Sequence, residues 1–268
     1  MAEINVGIMG CGGRMGRMLV AEMQGIADMK LAGGIESAAS GLLGKDIGEL
    51  AGIGTLGVVA TEDAGAVVVA SSVIIDFSSP EGVSLHARLA AQSSTALVIG
   101  TTGIDEEQAK EIDATAKVIP VVWAPNMSVV MTLFLGLVME TAKRLGEDYD
   151  IEILEMHHKH KVDAPSGTAL ALGQAAAMGR GIDLAAHSQR VRDGHTGPRK
   201  AGDLGFAALR GGDVVGDHTV IFASDGERLE LTHRATSRRI FAKGALRAAR
   251  WAVGQKPGLY SMDDVVGL

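Results

Sequence analysis

The stretch that decides the fold is INVGIMGCGGRMG, residues 4–16. Its apolar start, residues 4–9, is typical of a buried parallel strand, and the glycines that follow lead into a helix pattern through Glu22. A second apolar run, residues 29–35, predicts the next strand and ends at Glu36, 20 residues after Gly16. Strand, glycine-rich turn, helix and strand with a terminal acid together predict a βαβ unit of the dinucleotide-binding type.

The glycine spacing departs from the usual pattern of this unit. Gly10, Gly13 and Gly16 give GxxGxxG, whereas GxGxxG counted from Gly10 and Gly12 places Met15 at the third glycine. A glycine motif alone is weak, and the alternative is a purely structural turn. The order of strand, helix and second strand around it favours a nucleotide site, with the pyrophosphate at the helix N-terminus.

Glu36 bears on the choice of cofactor. A carboxylate accepts a hydrogen bond from a free ribose 2′-hydroxyl and repels a 2′-phosphate. Ser37 brings no compensating charge, and Arg14 would do so only if it reaches the phosphate. The sequence therefore favours NADH, with NADPH left open. We interpret Cys11, in the same loop, as a small packing residue and not as a nucleophile.

Strand and helix patterns continue to alternate through the first half, which predicts a parallel sheet. The predicted strands at 73–77, 96–99 and 118–122 end in short polar or glycine-containing segments. Ligands of such sheets bind beyond the carboxyl ends of the strands. Two of these segments are therefore candidate cofactor contacts, with ordinary turn chemistry as the alternative: Gly100-Thr101-Thr102 and Ala124-Pro125-Asn126-Met127.

The stretch EMHHKHKVDAPSGT, residues 155–168, is the candidate catalytic segment. It lies between a strand-like run, 151–154, and a helix-like run, 169–178, for which Ser166 is a good N-cap. The N–H groups of Gly167 and Thr168 would then form an anion site at the positive end of the helix. His157 is the first choice for proton transfer, since histidine titrates near neutral pH. Lys161, four residues on, would clamp the substrate or act as a second acid.

Two other interpretations of the histidine segment stay open. Histidine-rich loops are often merely solvated, and His158 and His160 could share a face as metal ligands. We discount a metal because no cysteine or carboxylate pattern nearby completes a ligand set. A regular strand or helix would place His157 and Lys161 on one side.

The remainder of the second half predicts a different sheet. A long buried helix, 129–145, leads into it. Residues 183–207 are loose and polar and include a loop at 195–200. His195 in this loop could contact substrate, although a solvated side chain is the simpler interpretation. Asp225-Gly226 between two β-rich runs predicts a hairpin, so this sheet is antiparallel or mixed. A last helix pattern, 240–253, is expected to return to the first domain.

Composition excludes several classes of protein. The chain has 268 residues, 47% of them apolar, which is typical of a globular protein with a sizeable core. A formal net charge of −7 argues against a nucleic-acid partner, and the longest apolar run is too short to span a membrane. One cysteine and no signal-peptide pattern at Met1-Ala2-Glu3 favour a cytoplasmic protein.

These motifs, with VVGDHTV at 214–220 and GERLE at 226–230, resemble the 4-hydroxy-tetrahydrodipicolinate reductase (dihydrodipicolinate reductase) family over essentially the whole chain. The resemblance implies NAD(P)H-dependent reduction of a cyclic dicarboxylate, with loss of water, to tetrahydrodipicolinate in the diaminopimelate route to lysine. It implies a Rossmann domain at 1–127 and 239–268 and a central domain at 128–238 that binds substrate and forms a homotetramer. The fold class is therefore α/β, a parallel sheet domain plus a mixed-sheet domain.

The resemblance also implies roles for single residues. His157 would be the proton donor and acceptor, Lys161 a proton donor, and His158, Gly167 and Thr168 would hold the substrate. The family often has a basic residue in place of Ser37, which argues against tight NADPH binding here. The cofactor would contact the following residues: Gly10, Cys11, Gly12, Gly13, Arg14, Met15, Glu36, Gly100, Thr101, Thr102, Ala124, Pro125, Asn126 and Met127.

Two other functions remain as alternatives. A different dehydrogenase of a small anionic substrate, such as an aspartate-semialdehyde or amino-acid enzyme, would need an active-site cysteine or another acid. A non-catalytic sensor would bind NADH without turning over a cyclic imine.

Overall fold

The computed structural model of the protein describes residues 3–268. They form two compact units, one of residues up to Val129 together with Arg239–Gly267, the other of Val130–Arg238 with Leu268. Met1 and Ala2, part of the segment in which no signal-peptide pattern was found, lie outside the described residues. Within residues 3–268, no helix combines the length and apolar character needed to cross a membrane.

The first unit is built on a seven-stranded sheet in which every pair of neighbouring strands is parallel. Its strands are β1 (Ile4–Met9), β2 (Met29–Ile35), β3 (Ala60–Thr61), β4 (Val73–Asp76), β5 (Ala96–Ile99), β6 (Pro120–Trp123) and β12 (Gly258–Tyr260), in the spatial order β12-β6-β5-β4-β1-β2-β3. Its helices are α1 (Arg14–Met23), α2 (Ile47–Leu50), α3 (Ala64–Val69), α4 (Pro80–Ser93), α5 (Glu106–Ala116), α9 (Arg239–Ala252) and α10 (Met262–Val266).

The parallel strands are buried on both faces, because helices cover each side of the sheet. Alternate residues of one strand therefore enter different cores: Ile8 and Ile75 belong to one apolar cluster, Met9 and Ile74 to the other. Both clusters are filled almost entirely by aliphatic side chains and methionine, as the low aromatic content of the sequence requires.

The second unit contains a five-stranded mixed sheet in the order β11-β10-β7-β9-β8. Its elements are α6 (Val129–Leu145), β7 (Asp150–His157), α7 (Gly167–Arg180), α8 (Leu184–His187), β8 (Ser188–Gln189), β9 (Leu204–Arg210), β10 (Gly216–Ser224) and β11 (Glu227–Ala235). The central strand β7 pairs antiparallel with β10 and parallel with β9. One face of the sheet packs against α6 and α7 through a cluster that includes Phe134, Ile153, Leu172 and Phe222.

The predicted fold class is confirmed: a parallel sheet accompanies a separate mixed sheet. The bounds of β1 and β2 agree with the apolar runs, and Asp225-Gly226 forms the tight turn of the predicted hairpin, with Ser224 paired to Glu227. Gly226 has a φ of +92°, which a glycine adopts without strain.

Two predictions about the second unit were wrong in part. The strand predicted at 151–154 continues to His157. Residues 183–207 are not uniformly irregular, since they contain α8, β8 and the start of β9. The irregular part, 190–203, is tied to the sheet because Arg192 and Arg199 both donate hydrogen bonds to Glu152 on β7.

Candidate active site

The glycine-rich turn after β1 folds tightly around the start of α1. Gly10 has a φ of +82°, and the N–H groups of Gly10 and Cys11 both donate to the carbonyl of Ile35 at the end of β2, at 2.9 and 3.0 Å. A Cβ on Gly16 would lie 2.2 Å from the carbonyl oxygen of Gly10, so no larger residue fits there. The helix N-terminus is thereby held against the turn, as a pyrophosphate site requires.

Glu36 lies against this turn. Its Oε1 accepts a hydrogen bond from the N–H of Gly12 at 2.7 Å, and its Oε2 accepts one from the N–H of Ser37 at 3.3 Å. An open cavity of about 490 Å³ adjoins them, within the size range of small-molecule sites. Its lining includes Gly10, Gly13, Glu36, Ser37, Phe77 and His86. Glycine turn, helix N-terminus and acid thus meet around a space that suits a dinucleotide.

The other predicted cofactor contacts follow the carboxyl ends of neighbouring strands. Residues 100–102 come after β5 and residues 124–127 after β6, at the edge of the sheet that also carries the glycine turn. Thr102 and Pro125 are exposed, Asn126 is half-buried, and Gly100, Thr101, Ala124 and Met127 are buried. Of the predicted residues on α1, Arg14 is exposed and Met15 is half-buried.

A buried acid at the end of β4 was missed by the sequence analysis. Asp76 is fully buried and accepts hydrogen bonds from the hydroxyls of Ser78, at 2.6 Å, and Thr101, at 3.0 Å. Its other oxygen lies 2.7 Å from Nδ1 of His86 on α4. An acid ending a wholly apolar strand is the feature that could have revealed it. Asp76 holds the loops after β4 and β5 together.

Cys11 is buried within the glycine turn. Burial, with a contribution from the nearby charge of Glu36, raises the pKa of its thiol to about 12. A thiol with so high a pKa is a poor nucleophile, which agrees with its interpretation as a packing residue.

In the second unit, His157 is the last residue of β7 and is buried. Its Nδ1 lies 2.6 Å from Oε2 of Glu155, which is 1% exposed. Lys161 belongs neither to this strand nor to a helix, so the condition of one regular element that would place His157 and Lys161 on one side is not met. The strand ends at His157, and Lys161 lies in the segment that follows. There its Nζ pairs with Asp163 at 2.8 Å, which lowers the pKa of that carboxyl.

Glu155 is a second site residue that the sequence analysis left without a role. Its two oxygens accept hydrogen bonds from both terminal nitrogens of Arg210, each at 2.9 Å, and from the N–H of Ser166, at 3.1 Å. It lies on the buried face of β7 with Ile151, Ile153 and His157. An acidic residue on the otherwise apolar face of a strand is the pattern that could have indicated a site residue.

The N-terminus of α7 forms as predicted. Ser166 is the N-cap, and its hydroxyl accepts a hydrogen bond from the N–H of Ala169 at 3.1 Å. Gly167 and Thr168 are the first two residues of the helix, whose N–H groups have no partner within the helix. Gly167 is exposed and Thr168 half-buried, so an anion can approach them from solvent.

His218 on β10 completes the buried part of the site. Its ring makes an edge contact with that of His157, with centroids 5.1 Å apart, and its Nε2 lies 3.2 Å from the hydroxyl of Ser166. Burial first, then the neighbouring His157, lowers the pKa of His218 to about 4. His218 is therefore neutral at pH 7.

The rest of the histidine segment surrounds this centre. His158 is half-buried, and partial desolvation together with the charge of Arg238 lowers its pKa. The rings of His158 and His160 have centroids 6.3 Å apart. Within residues 3–268, no group of three or more histidine, cysteine or acidic side chains is arranged to hold a metal ion. A buried histidine, cations and a helix N-terminus suit an anionic substrate that takes up a proton.

Family models cover the two halves of the chain. The model described as dihydrodipicolinate reductase, N-terminus, matches residues 4–127, and the one described as dihydrodipicolinate reductase, C-terminus, matches residues 130–266. A 4-hydroxy-tetrahydrodipicolinate reductase from Brucella melitensis is 55% identical over 262 residues, 97% of this chain and 98% of the relative. The enzyme of that name from Beijerinckia indica is 53% identical and covers 100% of this chain and 99% of its own.

A solved structure shares the fold. The dipicolinate-bound dihydrodipicolinate reductase from Paenisporosarcina sp. TG-14 superposes with a TM-score of 0.77 over 97% of each chain, at 24% identity. Family models over both halves and full-length relatives above 50% identity lead to one conclusion: the chain belongs to the dihydrodipicolinate reductase family.

Proposed function

We infer that this chain is a 4-hydroxy-tetrahydrodipicolinate reductase of the diaminopimelate route to lysine, and we propose the roles of its residues as follows. The reaction is reduction of the cyclic dicarboxylate with uptake of one proton and loss of one water. The observation that carries the assignment of roles is a buried histidine beside a helix N-terminus, at one end of the mixed sheet.

His157 is the proton donor. Its Nδ1 is occupied by Glu155, which leaves Nε2 as the atom that gives up a proton to the substrate. Lys161 acts as a second acid or holds a carboxylate, and the N–H groups of Gly167 and Thr168 bind a carboxylate at the positive end of α7. His158 adds a further hydrogen-bond donor for the substrate.

A reduced nicotinamide nucleotide, used by reductases of this family, supplies the hydride. The residues of the first unit fit such a group, because the close approach of Gly16 to Gly10 and the bond from Gly12 to Glu36 shape a dinucleotide cradle. Residues 10–15 would hold the pyrophosphate, Glu36 the ribose hydroxyls, and residues 100–102 and 124–127 the remainder. Glu36 and the uncharged Ser37 favour NADH over NADPH.

The unit of residues 130–238 also supports a homotetramer, as the resemblance implies. The face of its sheet away from α6 and α7 carries apolar side chains that are only partly buried, among them Leu154, Met156, Leu209 and Ile221. Leu209 is 48% exposed. An apolar sheet face of this kind is typical of a subunit interface.

Such an enzyme, with one buried free thiol, belongs in the cytoplasm.

A different dehydrogenase acting through a cysteine is disfavoured. Cys11 is buried in the glycine turn, with its pKa raised by burial to about 12, so it cannot serve as a nucleophile.

Steady-state kinetics of two variants test the proposed roles. His157→Gln and Lys161→Ala should each lower kcat, by about 10²- to 10⁴-fold for the loss of a general acid. His195→Gln, the same substitution at an exposed loop histidine, should leave kcat unchanged. If both His157→Gln and Lys161→Ala retain wild-type kcat, the assignment of these residues is wrong.

A further inference from the structure

The carboxylate of Glu155 connects two parts of the proposed substrate site. Its Oε2 lies 2.6 Å from Nδ1 of His157, and its Oε1 accepts the N–H of Ser166 at 3.1 Å. Arg210 donates to both oxygens at 2.9 Å. A single side chain, 1% exposed, thus joins the proton donor, the start of α7 and a partly buried guanidinium.

The register of the mixed sheet makes this arrangement possible. Glu155 and His157 are two residues apart on β7 and share its buried face. Arg210 is the register partner of His157 on β9, and His218 is the partner of Glu155 on β10. Three neighbouring strands therefore contribute polar side chains to one buried layer.

We propose that Glu155, paired with Arg210, is the positioning residue of the reaction: it fixes the His157 ring with Nδ1 inward and Nε2 free, and it holds that ring in register with the anion-binding turn at 166–168. This inference rests on the proposed role of His157 as proton donor.

The charges around His157 support this role. The groups that face it are Glu155 on its own strand, Arg210 on β9, His218 on β10, and His158 and Lys161 with its partner Asp163 in the following turn. Burial alone would raise the pKa of Glu155, but hydrogen bonds from Arg210, His157 and Ser166 hold that pKa below its ordinary value. Glu155 is therefore an anion at neutral pH and stabilises the imidazolium of His157. The guanidinium of Arg210 compensates part of the negative charge of Glu155.

The side of the ring away from Glu155 is kept clear by a glycine. A Cβ on Gly216, at the start of β10, would lie 3.0 Å from Nε2 of His157. Since the ring is held at Nδ1, it could not easily move away from such a side chain.

Glu155→Gln should lower kcat by about 10- to 100-fold, because the general acid is still present but no longer held or charged correctly. The alkaline limb of its kcat–pH profile should move to lower pH by about one unit, since the imidazolium loses its anion. Arg210→Met should move this limb to higher pH, because the charge of Glu155 is then shared only with His157 and Ser166.

Glu152→Gln is the matched control. Glu152 lies on the same strand and also accepts hydrogen bonds from two arginines, yet it faces away from His157. A merely structural effect of losing a buried ion pair would not move the pH profile in opposite directions in the Glu155 and Arg210 variants. An unchanged alkaline limb in Glu155→Gln, or the same shift in Glu152→Gln, overturns the proposal.

Two further measurements separate this proposal from the one on which it rests. In a His157→Gln background, Glu155→Gln should lower kcat no further. Loss of activity in His157→Gln without any effect of Glu155→Gln contradicts the positioning role alone, whereas wild-type activity in His157→Gln contradicts the role of His157. If Glu155→Gln does not fold, ¹⁵N-histidine NMR of the wild-type protein decides: the neutral His157 ring should carry its proton on Nδ1, and a proton on Nε2 instead overturns the proposal.

Discussion

Glu36 is held in place by hydrogen bonds from the turn that it faces. A few atoms should therefore determine the choice between NADH and NADPH. Its carboxylate accepts the N–H groups of Gly12 and Ser37 and so stays fixed at the cavity next to the glycine turn. A fixed anion there accepts ribose hydroxyls and opposes a 2′-phosphate. The neighbouring residue, Ser37, decides whether a cation offsets that charge.

Ser37→Arg should therefore raise kcat/KM for NADPH relative to NADH by about tenfold or more, the effect of one charge-assisted hydrogen bond. The wild-type protein should prefer NADH. Gln24→Arg, which adds the same charge at an exposed position after α1, should leave the ratio unchanged. A strong NADPH preference in the wild-type protein would refute the role given to Glu36.

Cys11 gives a second prediction for a single residue. Its pKa, raised to about 12 by burial, keeps the thiol protonated at pH 8. Alkylation by iodoacetamide at pH 8 should therefore be ~100-fold slower in the native protein than in urea. Rapid labelling of the native protein would show that the glycine turn is not packed as described.

At the scale of elements, the N-terminus of α7 depends on one hydroxyl. Ser166→Ala removes the acceptor for the N–H of Ala169 and should lower the free energy of unfolding by about 1 kcal/mol. It should also raise the KM for the cyclic substrate, because the turn that presents Gly167 and Thr168 loosens.

Ser261→Ala is the control for this change. Ser261 caps α10 in the first unit with a comparable bond, to the N–H of Asp263 at 3.0 Å. Its loss should produce a similar change in urea denaturation without any change in KM. Equal KM values for the two variants would argue against an anion site at α7.

The elements that could be predicted are those whose cause is local. Apolar runs ended by Gly10 and by Glu36 indicated β1 and β2, and a serine before a small apolar run indicated the cap of α7. Strands β3 and β12 are two and three residues long, too short for any periodicity, and exist because neighbouring strands offer them hydrogen bonds.

The site residues likewise divide into those close together in the sequence, which could be predicted, and those brought together by the fold, which could not. His157, Lys161 and the helix N-terminus lie within one short segment, so their residue types and spacing pointed to acid catalysis on an anion. Arg210 lies 55 positions from Glu155, and His218 lies 52 from Ser166. These contacts depend on strand order, and no local pattern encodes that order.

For the whole molecule, the mixed sheet makes the clearest prediction. Its partly exposed apolar face should be covered by other copies of the chain. Leu209→Glu places a charge on that face and should reduce the assembly from a tetramer to smaller species in light scattering after size-exclusion chromatography. Val69→Glu, at a 74% exposed apolar residue of α3 in the first unit, should leave the tetramer intact. A monomeric wild-type protein would contradict the proposal.

The function inferred for this chain is reduction of a cyclic dicarboxylate imine by a nicotinamide nucleotide. The most direct measurement is spectrophotometric oxidation of NADH by the purified wild-type protein with freshly generated 4-hydroxy-tetrahydrodipicolinate. One NADH should be oxidised per substrate molecule, at a rate that falls at least ~100-fold in His157→Gln. Binding of NADH without its oxidation in the presence of this substrate would contradict the inferred function.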